Sequence, residues 1–105
     1  MIKILIADDE PLVRAGIKAV IPWNDHGFDV IGEVSDGNEA YEKILALKPD
    51  ILITDIKMPG MDGITLLKKL KQEKVPIQSV VLSCFDEFEL VREAMKYGAR
   101  DYILK

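Results

Sequence analysis

The stretch ILITDIKMPGMDG, Ile51 to Gly63, runs from a burial pattern straight into a charge and a turn. Ile51, Leu52, Ile53 and Thr54 read as a short strand covered on both faces. Such strands belong to parallel sheets with helices on each side and are apolar without alternation. The run ends on Asp55, and Met58-Pro59-Gly60 bends the chain directly afterwards. A strand built for burial that carries a carboxylate to its tip, ahead of a rigid loop, is aiming that carboxylate.

The same rhythm extends in both directions. KILIA (Lys3–Ala7) and SVVLS (Ser79–Ser83) are also short and apolar at their centres, as central strands are. FDVIGEV (Phe28–Val34) alternates instead, which predicts Phe28, Val30 and Val34 on one side and Asp29 and Glu33 on the other. DYIL (Asp101–Leu104) is very short, so these two read as edge strands. Amphipathic stripes predict helices over Pro11–Ile21, Gly37–Lys48, Asp62–Glu73 and Asp86–Tyr97. Pro11 suits a first helical turn, Asp36 with Glu39 and Asp86 with Glu89 read as capping pairs, and Gly98 is a stop. The order βαβαβαβαβ predicts an α/β fold, a doubly wound parallel sheet. With the polar strands outermost, the strand order is flavodoxin-like, 2-1-3-4-5.

Composition closes off several other classes. The 105 residues suffice for one domain and one core. Apolar residues make up 49% and charged residues 30%, a globular rather than a disordered balance. No apolar run approaches the ~20 residues that span a bilayer, and MIKILIADDE turns acidic too early for a signal peptide, so a cytoplasmic protein without membrane contact is expected. Cys84 is the single cysteine and His26 the single histidine, leaving no disulfide and little for thiolate or imidazole metal sites. A net charge of −4 with scattered Lys and Arg predicts no direct nucleic-acid binding by this domain.

In open α/β sheets, ligands bind beyond the carboxyl ends of the strands. Those ends carry Asp8-Asp9, Asp55, Ser83 and Lys105, and the order 2-1-3-4-5 makes their strands neighbours. Three carboxylates, a hydroxyl and an ammonium are therefore expected in one cleft. Crowded carboxylates need a cation among them, and an all-oxygen set suits Mg²⁺. Magnesium opposite a lysine neutralises a phosphoryl group in transfer, and a carboxylate can accept that group covalently.

ILIADDE, ITDIKMPGMDG, VVLSCFDE and GARDYILK, taken in order, resemble the receiver domain of two-component response regulators, the chemotaxis-type (CheY-like) fold. The resemblance covers essentially the whole chain, and its ordered set of acid pair, Asp-x-x-Met-Pro-x-Met-Asp-Gly, hydroxyl and lysine is specific. It implies that Asp55 takes a phosphoryl group from a sensor histidine kinase. It implies that Asp8, Asp9, Asp55 and the backbone carbonyl of Lys57 hold Mg²⁺, with Asp8 acting mostly through water. Lys105 and Ser83 would meet the phosphoryl oxygens, Ser83 and Tyr102 would form the conformational switch, and Lys57 and Phe85 would tune hydrolysis. Phosphotransfer and slow dephosphorylation would be self-catalysed, so the domain is not an enzyme in the usual sense.

IPWNDHGFDVIGEVSDG is similar to receivers fused to AraC-type helix-turn-helix domains, which implies a DNA-binding output and transcription regulation. Receivers usually continue through a proline into a fifth helix, whereas this chain stops at Lys105. Residues 1–105 are thus expected to form a receiver domain lacking its last helix, with apolar sheet exposed and a homodimer or domain swap favoured.

Plainer readings stand beside these. Asp8-Asp9 ahead of Pro11 also suits a helix cap, Asp36, Asp62 and Asp86 read as caps, and Lys68–Lys74 as a solvated face. Cys84 reads as a small buried hydrophobe, His26 as a surface residue, and Trp23 and Phe28 as core cover. Two other functions use overlapping residues. A haloacid-dehalogenase-like phosphatase also forms an aspartyl phosphate, but resembles Asp-x-Asp where this chain has Lys57. A phosphorylation-independent pseudo-receiver scaffold would not need the intact set Asp8, Asp9, Asp55, Ser83 and Lys105.

Overall fold

Strands and helices alternate along the chain as its apolar rhythm requires. A computed structural model describes residues 1–84 and 86–105, so Phe85 lies outside the described residues. The elements are β1 (Ile2–Ala7), α1 (Pro11–Val20), β2 (Phe28–Val34), α2 (Gly37–Leu47), β3 (Ile51–Asp55), α3 (Gly63–Gln72), β4 (Gln78–Ser83), α4 (Phe88–Lys96) and β5 (Asp101–Leu104). A short 3₁₀ turn, Trp23–His26, precedes β2. All strand pairs are parallel, and the sheet order is β2-β1-β3-β4-β5. This is the flavodoxin-like order expected from the polar character of β2 and β5.

Side chains alternate across a strand, so each strand feeds two cores. Ile4, Ile6, Ile53 and Leu82 face α1, where Val13, Ile17, Trp23, Phe28 and Val30 pack on them. Leu5, Ala7 and Leu52 face the other way, onto Ala40 and Ile44 of α2 and Leu66 and Leu70 of α3. Val81 joins Ile64 and Leu67 of α3 with Val91 and Ala94 of α4. Each fully buried aliphatic side chain contributes about 1.5–3 kcal/mol, which is why the central strands are apolar on both faces. Trp23 and Phe28 meet edge to face with ring centroids 6.0 Å apart and cover the end of α1, as expected. Beside β5 the α1 face is barer. An apolar groove of about 350 Å³ runs between α1 and β5, lined by Ile17, Val20, Trp23, Leu82, Ile103 and Leu104.

Three expectations fail for identifiable reasons. The β1–β2 register slips between Ile4↔Val30 and Leu5↔Gly32, leaving Ile31 as an extra residue. Such a bulge reverses the facing of everything after it. Phe28 and Val30 therefore pack under α1, while Val34 joins the core beneath α2, and Glu33 crosses to α1, where it pairs with Arg14 and Lys18. The second correction concerns α4. Its N-cap residue is Glu87, with no side-chain capping bond, rather than Asp86. The buried Glu87 carboxylate instead accepts a hydrogen bond from the Cys84 amide at 2.7 Å. Cys84 itself is exposed, not a buried hydrophobe, because the chain has already left β4 there. The Asp36 and Asp62 caps are present, accepting from the amides of Glu39 and Thr65.

The loop after β3 is fixed by close backbone approach. Gly63 N–H donates to the Ile56 carbonyl at 2.7 Å, and a Cβ on Gly63 would stand 2.2 Å from the Asp55 carbonyl oxygen. A Cβ on Gly37, at the start of α2, would stand 1.8 Å from the Met61 carbonyl oxygen. Only glycine admits these contacts. Gly63→Ala is expected to lower the unfolding free energy by about 1–3 kcal/mol, as forced overpacking does. A denaturant midpoint unchanged from the parent protein would show that the loop yields more freely than this packing implies.

Candidate functional site

The strand register builds the site. Ala7 lies opposite Thr54, so the chain delivers Asp8 and Asp55 side by side at the top of β1 and β3. Asp55 pairs with Leu82 and Leu82 with Ile103, and Lys105, two residues beyond Ile103, returns to that same face. The Lys105 ammonium lies 2.9 Å from Asp55 Oδ2, 3.2 Å from Asp8 Oδ2 and 3.4 Å from Glu10 Oε1. Carboxylate oxygens of Asp8, Asp9, Glu10 and Asp55 lie within 4.8 Å of one another. Asp8 and Asp55 are buried, while Asp9 and Glu10 open to solvent.

Asp8 is held at several of its atoms. Its amide donates to Val34 of β2, its Oδ1 accepts from the Glu10 amide at 2.8 Å, and its carbonyl accepts from Arg14 at 2.6 Å. Oδ2 is within ion-pair distance of Lys105 but has no hydrogen bond among the described residues. A buried carboxylate oxygen left without a hydrogen bond, in a cluster offering only hard oxygen donors, fits a divalent cation such as Mg²⁺.

Burial, and then the charge of Asp8, push the Asp55 carboxyl above its ordinary pKa, against the hydrogen bond and charge of Lys105 and the Ile56 amide. For Lys105, burial works to lower the pKa, but the hydrogen bond and charge of Asp55, together with Asp8, outweigh it and hold the ammonium protonated well above the usual range. The site therefore carries a fixed positive charge against a carboxylate under electrostatic pressure.

Ser83 is brought to the same rim but not into these contacts. It pairs with Leu104, on the opposite pleat from Asp55, and its buried Oγ has no hydrogen-bond partner among the described residues. Tyr102 pairs with Val81, which puts it on the same sheet face as Ser83, two residues along. Its half-exposed ring lines a cavity of about 450 Å³ with Ser83, Phe88, Met95 and Leu104. The Lys57 side chain reaches into solvent, 3.7 Å from Glu87 Oε2. Three participants escaped the sequence reading: Glu10, Arg14 and Glu87. Glu10 directly follows the acid pair and was legible from position alone. Arg14 and Glu87 act through contacts between elements, which no spacing rule exposes.

A family model described as the response regulator receiver domain matches residues 4–105. The chain belongs to the response regulator receiver domain family. This receiver is 50% identical, over all its 105 residues, to the transcriptional regulatory protein YesN of Bacillus subtilis, of which it spans 28%. It is 37% identical to the transcriptional regulatory protein HptR of Staphylococcus aureus, spanning 41% of that protein. It thus covers well under half of these curated relatives. Among solved structures, the receiver domain of the response regulator AraT from Geobacillus stearothermophilus is similar at 43% identity and a TM-score of 0.91, over all of this chain and 82% of that one. The response regulator domain of Thermotoga maritima CheB is similar at 36% identity and 0.88, over all of this chain and 78% of that one. Receivers are signalling modules rather than enzymes in the usual sense. Among the described residues no helix is long and apolar enough to cross a membrane.

The two raised pKa values make pH predictions of the same sign, in separate windows, for the metal-free protein. Asp55 binds its proton more tightly folded than unfolded, so stability falls as pH rises from about 3.9, the unfolded value, through the higher folded one. Asp55→Asn should flatten that limb of the melting-temperature profile. Lys105 contributes stability that is complete below about pH 10.4 and is lost as pH climbs through its raised folded value. Lys105→Met should abolish this alkaline component. An acid limb that persists in Asp55→Asn would assign it to another carboxyl.

Proposed function

We propose that this receiver accepts a phosphoryl group on Asp55 from the phosphohistidine of a sensor histidine kinase and passes the signal on as a conformational change. The observation that carries the reading is the Lys105 ammonium held 2.9 Å from a buried Asp55 within a ring of carboxylates. An Asp55 oxygen attacks phosphorus, the bond from phosphorus to the donor imidazole nitrogen breaks, and the imidazole takes up a proton. Hydrolysis by water later returns the Asp55 carboxylate and inorganic phosphate. Asp8, Asp9, Asp55 and the backbone carbonyl of Lys57 would hold Mg²⁺, which when bound supplies positive charge to the phosphoryl oxygens. Lys105 supplies a second positive charge from the β5 side. No catalytic turnover of other substrates is part of this function.

The Ser83 hydroxyl, buried and without a partner among the described residues, has reason to turn toward a new anion at Asp55. Tyr102, on the same face and bordering a cavity, then moves inward as Ser83 departs. The output is a DNA-binding domain of the AraC type, acting in the cytoplasm. Resemblance in the Trp23–Phe28 region and the transcriptional names of YesN and HptR support this. The apolar groove between α1 and β5 favours a homodimer or domain swap. The pseudo-receiver scaffold has no comparable support, since Lys105 is in contact with Asp8, Glu10 and Asp55. The haloacid-dehalogenase-like reading lacks its second aspartate, position 57 being lysine.

Incubation with acetyl phosphate and Mg²⁺, followed by intact mass measurement, is expected to add one phosphoryl group, which Asp55→Asn removes. Absence of any adduct would favour the scaffold, and turnover of many phosphomonoesters the hydrolase. Mg²⁺ is also expected to raise thermal stability in the wild type, by about 2.7 kcal/mol at a hundredfold excess over its dissociation constant. Asp9→Asn should lose that increment.

A further inference from the structure

We propose that Arg14 is a positioning residue for the cation site, aimed by Glu33 through the β2 bulge. This inference rests on the reading of Asp8 and Asp9 as Mg²⁺ ligands and extends it to groups that touch no metal. The Arg14 guanidinium spans two elements. Its terminal nitrogen donates to the Asp8 carbonyl at 2.6 Å, and its Nε donates to Glu33 Oε1 at 2.8 Å. The Asp8 carbonyl belongs to the peptide plane that joins Asp8 to Asp9. Fixing that plane fixes the direction in which both carboxylates leave the backbone, because each side chain is one Cα away from it. The guanidinium fork makes both bonds at once, which a lysine ammonium on a flexible stem does not hold in one geometry.

Glu33 reaches Arg14 only because of the bulge. In an unbroken strand it would share a side with Asp29, away from α1. The extra residue Ile31 turns Glu33 toward α1, where Lys18, one helical turn beyond Arg14, binds its other oxygen. The two cations hold the Glu33 carboxyl below its ordinary pKa, Lys18 most strongly and then Arg14, so the anchor stays charged at neutral pH. The Arg14 side chain is only 16% exposed, which limits its freedom further. Bulges that re-aim a side chain beside a functional site are a known structural device. This one turns an edge strand into a brace for the acid pair.

Positioning and simple charge predict opposite results. Arg14 is a cation close to a cation site, so if it acted only through charge its removal would tighten Mg²⁺ binding. As a brace, its removal weakens binding. Isothermal titration calorimetry with MgCl₂ on the wild type, Arg14→Lys, Arg14→Gln and Glu33→Gln decides the matter, with metal-free melting temperatures recorded alongside. Arg14→Lys and Arg14→Gln are expected to raise the dissociation constant about tenfold, the lower end of what loss of a ligand-orienting partner costs. Glu33→Gln, with every group that touches Asp8 retained, should shift it in the same direction by less. Binding by Arg14→Lys within twofold of wild type, or tighter binding by Arg14→Gln, would overturn the inference whatever the melting temperatures do. A wild-type chain that takes up no Mg²⁺ would overturn the cation-site reading itself, a distinct result.

Discussion

Asp8 and Asp55 are buried carboxylates at the tips of adjacent strands, and the Lys105 ammonium between them is what makes that arrangement tenable. Two like charges withdrawn from water repel strongly, and each also loses its hydration. A lysine from the last strand compensates part of this, at the cost of tying the end of β5 to β1 and β3. The remaining strain is visible in the raised pKa of Asp55, where burial and Asp8 prevail over Lys105. A site poised in this way is sensitive to any added charge.

Around this cluster the backbone is stiff on one side and less committed on the other. The loop after β3 is pinned by Gly63 against the Asp55 carbonyl and by Gly37 against Met61, so Asp55 cannot drift. The β1–α1 loop is held by Arg14 and by the Glu10 amide. On the β4 side, the Ser83 hydroxyl lacks a partner among the described residues and Tyr102 borders open space. Glu87 bridges the two halves, binding the Cys84 amide next to Ser83 while lying 3.7 Å from Lys57 beyond Asp55. One side of the site is thus fixed by backbone contacts and the other is loosely held.

The ordered apolar runs made the layer architecture legible, because a strand buried on both faces has almost no alternative reading at this length. The sites at strand ends were legible for the same reason, since parallel strands all deliver their last residues to one rim. The facing of β2 was not. Alternation in FDVIGEV put Val34 with Phe28, and one extra residue reversed it. The capping assignment at Asp86 failed because α4 starts at Phe88, which makes Glu87 the N-cap residue, and the Glu87 carboxylate binds the Cys84 amide instead of capping.

The amino-acid sequence on its own determined the element order, the strand order through its polar edges, and the convergence of Asp8, Asp9, Asp55, Ser83 and Lys105 at one end of the sheet. These follow from periodicity and burial, which are local properties of the chain. Only the tertiary structure decided which pleat each of those residues occupies, that Lys105 touches Asp8 and Asp55 while Ser83 does not, and that Arg14 bonds both the Asp8 carbonyl and Glu33. Such choices depend on register between strands, and a single unpaired residue resets register without altering the local pattern that a sequence displays.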